Sequence, residues 1–137
     1  MTIVGVDHIQ LAMPPGEEEK ARAFYAGLLG VPERPKPAAL AARGGAWFES
    51  PHVRIHLGVE KDFRPARKAH PGLLVDGLSE LTAELRRGGY AVTEDPLEDR
   101  PRIYVDDPFG NRLELIDAAL AQGVRTTGVA RTARQSA

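Results

Sequence analysis

Short runs in which apolar and polar residues alternate recur along the chain, and they predict strands. In Val6-Asp7-His8-Ile9-Gln10-Leu11, Ile9 and Leu11 fall on one face and His8 and Gln10 on the other, because successive side chains point to opposite sides of a strand. The same period runs through Val53-Arg54-Ile55-His56-Leu57, His70-Pro71-Gly72-Leu73-Leu74-Val75 and Arg112-Leu113-Glu114-Leu115-Ile116. There His56, His70 and Glu114 oppose the aliphatic residues. Three imidazoles and one carboxylate thus stand on the polar faces of four strands.

The remaining pattern predicts the elements between them. A first strand over Ile3–Met13 is stopped by Pro14-Pro15-Gly16. A helix follows over Glu17–Leu29, with acidic residues in its first turn and Ala21, Phe24, Tyr25 and Leu28 at the spacing of one buried stripe. Gly30 suits a C-terminal cap and Pro32 prevents continuation. Glu33–Ala42 reads as an edge strand, since Pro35 and Pro37 lack ladder donors. Gly45–Glu49 and His52–Val59 are two further strands, and Glu60–Lys68, with Pro65 and the basic Lys61, Arg64, Arg67 and Lys68, is an exposed connection.

The order then repeats. A strand over His70–Asp76 leads to a helix capped by Ser79 that carries Leu81 and Leu85 and ends at Gly88-Gly89. Strands follow at Tyr90–Glu94, Pro101–Val105 and Asn111–Asp117, with the turn Asp107-Pro108-Phe109-Gly110-Asn111 before the last. Each half therefore reads βαβββ, over residues 3–59 and 69–117, and such an internal repeat is itself architectural. Together they predict one domain over residues 1–117. The segment 118–137 opens with a short helix (Ala118–Gln122) and becomes polar and rich in Thr, Arg and Ala, a composition that predicts poor order.

Composition narrows the chemistry. A length of 137 residues suits a single domain. The net charge of −1 offers no basic surface for nucleic acid. The chain has no cysteine, which excludes a disulfide framework, a thiolate zinc site and a cysteine nucleophile. A metal must be held by nitrogen and oxygen alone. With no signal-like segment and no apolar run of membrane length, cytoplasmic residence without a membrane partner is the expectation.

His8 and Glu114 each have an ordinary reading as a strand residue facing solvent, His70 as a loop residue before Pro71, and His56 as a structural histidine; the conjunction points to a divalent ion such as Fe, Mn, Ni, Zn or Co. Tyr104 and Arg102 share the polar face of their strand, and Arg54 and Arg112 that of theirs, where an arginine can bind an anionic oxygen of a substrate. Trp47 and Phe48 are adjacent, so one packs inward and the other lines the polar side; parity does not say which. His52 follows Pro51 at a turn and faces water.

Three segments carry a family likeness: Val6-Asp7-His8-Ile9, Ala23-Phe24-Tyr25-Ala26-Gly27-Leu28-Leu29-Gly30 and the run Tyr104–Ile116, with its Asp106-Asp107-Pro108-Phe109-Gly110-Asn111 turn. With the repeat, they resemble the vicinal oxygen chelate superfamily of glyoxalase I, extradiol dioxygenases, fosfomycin resistance enzymes and bleomycin-binding proteins. The resemblance implies an α+β fold in which two βαβββ modules form a U-shaped mixed sheet around a metal cleft. It assigns the ligands to the first and fourth strands of each module, which here means His8, His56, His70 and Glu114. Glyoxalase-like members usually carry Glu where His56 stands. His56 therefore either ligates directly or works beside the metal as an acid/base, as a histidine does in extradiol dioxygenases. Tyr104, ten positions before Glu114, matches a tyrosine of those enzymes.

The implied activity is that of a divalent-metal-dependent lyase, isomerase or extradiol-type dioxygenase. Its small substrate would chelate the metal through vicinal oxygens, with Glu114, His56 and Tyr104 as catalytic residues. The alternative is a non-catalytic drug- or metabolite-binding resistance protein of the bleomycin-binding type, whose members generally lack the ligand set. A homodimer is implied by the same likeness.

Overall fold

The structure, a computed structural model, describes residues 1–119. The expected order of the tail, and most of its short helix, lie outside the described residues. The chain divides into two compact units: Met1–Ala69 with Asp107–Asn111, and His70–Asp106 with the chain from Arg112 onward.

In the first unit, β1 (Ile9–Met13) leads to α1, which is α-helical over Glu18–Ala21 and widens to a π-helix over Arg22–Leu28. Then come β2 (Glu33–Arg34), α2 (Ala38–Ala41), β3 (Ala46–Glu49) and β4 (Arg54–Val59). The sheet order is β1-β4-β3-β2, with β1 parallel to β4 and the other pairs antiparallel. The second unit repeats this plan. Its elements are β5 (Gly72–Val75), α3 (Leu78–Arg87), β6 (Val92–Glu94), β7 (Arg102–Asp106) and β8 (Arg112–Asp117). They form the order β5-β8-β7-β6, again with only the first pair parallel. Both expected βαβββ units are present, each with a four-stranded mixed sheet, so the fold class is α+β.

The alternation seen in sequence sorts the side chains as expected. Ala46, Phe48, Ile55 and Leu57 are buried, as are Ala21, Phe24 and Tyr25 of α1, and Tyr25 stacks on Phe48 with centroids 5.4 Å apart. In the second unit Ile103, Val105, Leu113 and Leu115 are buried, with Leu78 and Leu85 of α3. Burying a large aliphatic or aromatic side chain contributes about 1.5–3 kcal/mol. The π-helical turn is closed by Leu29 N–H donating to the Phe24 carbonyl at 2.9 Å, five residues back.

Three expectations are corrected. The first strand begins at Ile9 rather than Ile3: β4 begins at Arg54 and the chain before it turns through Ser50–Val53, leaving residues 3–8 without a ladder. Ile3, Val4 and Val6 are accordingly exposed. Of Glu33–Ala42, only Glu33–Arg34 pairs; the Ala-rich stretch after Pro37 forms α2, whose first turn closes on the Pro37 carbonyl. The cap of α3 is Gly77, not Ser79, because the helix starts two residues earlier, at buried Leu78, and the cap adopts φ +80°, which favours glycine. Gly45 is needed for a different reason: at φ +84° a Cβ would sit 2.1 Å from the Leu57 carbonyl oxygen.

The turn Asp107–Asn111 contributes a buried polar network to the first unit. Tyr25 Oη donates to Asp107 Oδ2 at 2.6 Å, and Asn111 Nδ2 to the same oxygen at 2.8 Å and to the Ala12 carbonyl at 2.8 Å. The backbone N–H groups of Phe109 and Asn111 donate to Oδ1. Every oxygen of this carboxylate is satisfied, as burial demands. Burial still raises the Asp107 pKa against the lowering pull of those hydrogen bonds, and burial plus the Asp107 charge pushes Tyr25 well above the usual phenol range. A carboxyl raised by folding contributes stability in acid that is lost as pH rises through its folded value. The Tyr25 hydroxyl limits that loss. Tyr25→Phe is therefore expected to cost about 1–2 kcal/mol in chemical denaturation at neutral pH, and less at pH 4. An equal cost at both would contradict the ionised pair.

Candidate functional site

The first unit gathers its polar chemistry through strand register. β1 and β4 align Gln10 with His56, and β3 and β4 align Trp47 with His56. The result is a column of three rings. Trp47 stacks on His56 at 4.1 Å and 5°, and His8 stacks on His56 at 4.5 Å and 20°. Trp47 is therefore the residue that lines the polar side, and Phe48 the one that packs inward.

His56, on the polar side of its strand as expected, is only 6% exposed, covered by its ring neighbours. Its Nε2–H donates to Glu49 Oε2 at 2.7 Å. His8 Nδ1–H donates to Asp7 Oδ2 at 2.9 Å, and Arg54 donates to the other Asp7 oxygen at 3.2 Å. The hydrogen bond from His8, helped by the Arg54 charge, holds the Asp7 carboxyl below its ordinary range. With Nδ1 so engaged, Nε2 is the His8 nitrogen left to meet a metal, the orientation a carboxylate imposes on metal-binding imidazoles.

The second unit places His70 just before β5 and Glu114 in β8, where Gly72 is the register partner of Glu114. His70 Nε2–H donates to Glu114 Oε1 at 3.0 Å, and Tyr104, aligned with Glu114 across β7 and β8, reaches the same oxygen at 3.4 Å. Arg102 donates to Glu114 Oε2 at 3.4 Å and is itself anchored on Asp95 at 2.9 Å. Partial burial pulls the Glu114 carboxyl upward, but hydrogen bonds from His70 and Arg102 and their charges outweigh it and leave the pKa lowered. Glu114 is thus a fixed, ionised carboxylate. The Tyr104 ring meets His70 edge-on at 5.5 Å and carries the guanidinium carbons of Arg102 and Arg112 at 5.1 and 4.2 Å from its centroid.

The residues expected from sequence therefore come together as two pairs, His8 with His56 and His70 with Glu114. Among the described residues no three or more His, Cys, Asp or Glu side chains group closely enough to hold a metal ion, so each unit presents a pair. The second pair fits a metal. Two donors bound side by side to one divalent ion at about 2.0–2.2 Å stand roughly 3 Å apart, and His70 Nε2 and Glu114 Oε1 have that spacing, 3.0 Å. His8 fits by its free Nε2. His56 Nε2 also faces a carboxylate, but Glu49 Oε2 at 2.7 Å is closer than two ligands of one ion stand, so His56 fits less well. Sequence reasoning missed Glu49 and Asp7. Glu49 shares a face with Trp47, two residues earlier, but that face is known only once Trp47 is paired with His56. His52 is exposed, as expected.

No family model matches the chain, and neither does any curated protein. Solved structures do match. A glyoxalase family protein from Bacillus anthracis is 47% identical, with 85% of this chain and 97% of that one covered and a TM-score of 0.80. A glyoxalase/dioxygenase from Nostoc punctiforme is 20% identical, covering 85% and 97% at a TM-score of 0.65. A fosfomycin resistance protein from Mesorhizobium loti is 14% identical, covering 90% and 99% at 0.66. The latter two are similar in fold alone.

The chain has a single tryptophan, so its fluorescence reports on the ring column. His56→Ala uncovers one face of the Trp47 indole and is expected to red-shift its emission, with a stability loss that includes about 0.5–1.5 kcal/mol for the lost stacking. Unchanged emission would contradict the stack.

Proposed function

This chain belongs to the vicinal oxygen chelate superfamily, and on that premise we propose that it is a divalent-metal-dependent enzyme acting on a small substrate through two neighbouring oxygens. The observation that carries the reading is the His70–Glu114 pair, set at ligand spacing and braced by Arg102 and Tyr104. In this proposal His8, His70 and Glu114 hold the ion. A set of two imidazoles and one carboxylate suits Fe(II) and Mn(II), with Ni, Zn and Co also compatible.

When bound, the ion would polarise the substrate oxygens and stabilise negative charge developing on them. The chain's own residues supply the rest. Arg102 donates to Glu114 and favours its ionised form, and the Tyr104 hydroxyl steadies one of its oxygens. Glu49 orients the His56 ring through its Nε2, which suits His56 to pass a proton to or from substrate rather than to ligate. Trp47 and His8 hold that ring in plane and limit water around it. Lyase, isomerase and extradiol-type oxygenase chemistry all use such an arrangement. A homodimeric, cytoplasmic protein is part of the proposal, by likeness to the family. Among the described residues no helix is long and apolar enough to cross a membrane.

Metal analysis of the untagged protein after reconstitution tests the reading. Wild type is expected to hold one ion per site, and Glu114→Ala to weaken binding by at least about tenfold, as loss of a direct ligand should match or exceed the loss of an outer partner. Turnover is then sought with catechols under O₂, methylglyoxal plus thiols, and fosfomycin. Wild type that binds none of Mn, Fe, Ni, Zn or Co would overturn the proposal in favour of a non-catalytic binding protein.

A further inference from the structure

Three arginines stand on the strands of the candidate site, Arg54 on β4, Arg102 on β7 and Arg112 on β8, and the structure separates them. Arg54 is paired with Asp7 at 3.2 Å, and Arg102 with Asp95 at 2.9 Å and Glu114 at 3.4 Å. Arg112 differs. It opens β8 two residues before Glu114 and so projects to the same face. Its guanidinium carbon lies 4.2 Å from the Tyr104 ring centroid, the closer of the two cations on that ring. Asp106 is its register partner across β7, yet among the described residues Arg112 forms no ion pair.

A ring under a guanidinium orients the cation without using its N–H donors, which leaves the planar fork available for a bidentate anion. The far end of the same ring bears the hydroxyl that meets Glu114 Oε1 at 3.4 Å. Tyr104 thus carries on its ring face a cation without an ion-pair partner among the described residues, and meets the His70–Glu114 pair through its hydroxyl. We propose that Arg112, seated on Tyr104, is an anion-binding subsite that takes a carboxylate, phosphate or phosphonate group of the substrate. Its place in catalysis rests on the reading of His70 and Glu114 as ligands; the binding of the anion does not. The substrate is then a small anion whose charged group anchors on Arg112 while its neighbouring oxygens face Glu114 and His70.

The test uses methylphosphonate and acetate as separate probes, titrated calorimetrically into metal-loaded and chelator-treated protein. Wild type is expected to bind at least one probe with a Kd of about 1 mM, and the preferred probe distinguishes a phosphorus oxyanion from a carboxylate. Arg112→Ala should weaken binding at least about tenfold, as befits loss of a charged hydrogen-bonding partner. Arg112→Lys should keep part of it, since the charge remains and the fork is lost. Tyr104→Leu should weaken it by removing the platform. Metal content and melting temperature of Arg112→Ala should match wild type. Failure of the metal reading with anion binding intact would leave this subsite standing. Equal probe affinity in wild type, Arg112→Ala and Arg112→Lys, or no binding by wild type in either metal state, would overturn it.

Discussion

The parallel pairing of first and fourth strands within each βαβββ unit is the constraint on which the chemistry depends. Parallel neighbours cannot be joined by a hairpin, so a helix and two strands intervene. That crossover brings distant residues into contact at fixed register. Gln10 comes beside His56 in one unit and Gly72 beside Glu114 in the other. His70 and Glu114, separated by 44 positions, meet at 3.0 Å for this reason. His56, Tyr104 and Glu114 sit on strands braced by buried aliphatic residues, while His8 and His70 stand one and two residues before β1 and β5.

The two units use one scaffold to solve different electrostatic problems. In the first, a nearly buried imidazole is made tolerable by flat aromatic neighbours on its faces and one carboxylate at its edge. In the second, a carboxylate is kept ionised by an imidazole and a guanidinium, with a phenol at hydrogen-bonding range. The first arrangement favours moving a proton, the second favours holding a cation. Under the proposed function, repetition of the fold followed by divergence of its polar faces suits one unit to proton transfer and the other to metal binding. Arg112 extends the second half toward the substrate, because its stacking on Tyr104 holds a charge in place without neutralising it.

Much of the fold was legible in the sequence because both signals involved are local. The two-residue alternation marked the inward faces of β4, β7 and β8, and the Ala21-Phe24-Tyr25 stripe marked the buried side of α1. Boundaries were less legible where a partner decides them: Val4 and Val6 suit a strand but have no neighbour to pair with. The helix after Pro37 was hidden because proline reads equally as a strand breaker and a helix starter. At the site, the polar parity of His8, His56, His70 and Glu114 was visible. The roles of Glu49 and of Asp107 were not, since each depends on a partner fixed by tertiary structure. Asp107 lies 82 positions from Tyr25, and in isolation its segment reads only as a turn.

The proposed function requires His8, His70 and Glu114 to act as one ligand set, with His56 kept by Glu49. Anomalous diffraction at the metal edge, from crystals of the protein reconstituted with Co(II) or Mn(II), tests it most directly. The account predicts a peak within about 2.0–2.3 Å of His8 Nε2, His70 Nε2 and a Glu114 oxygen, with His56 still donating to Glu49. A metal that ignores Glu114, or one held by His56 with Glu49 displaced, would contradict it.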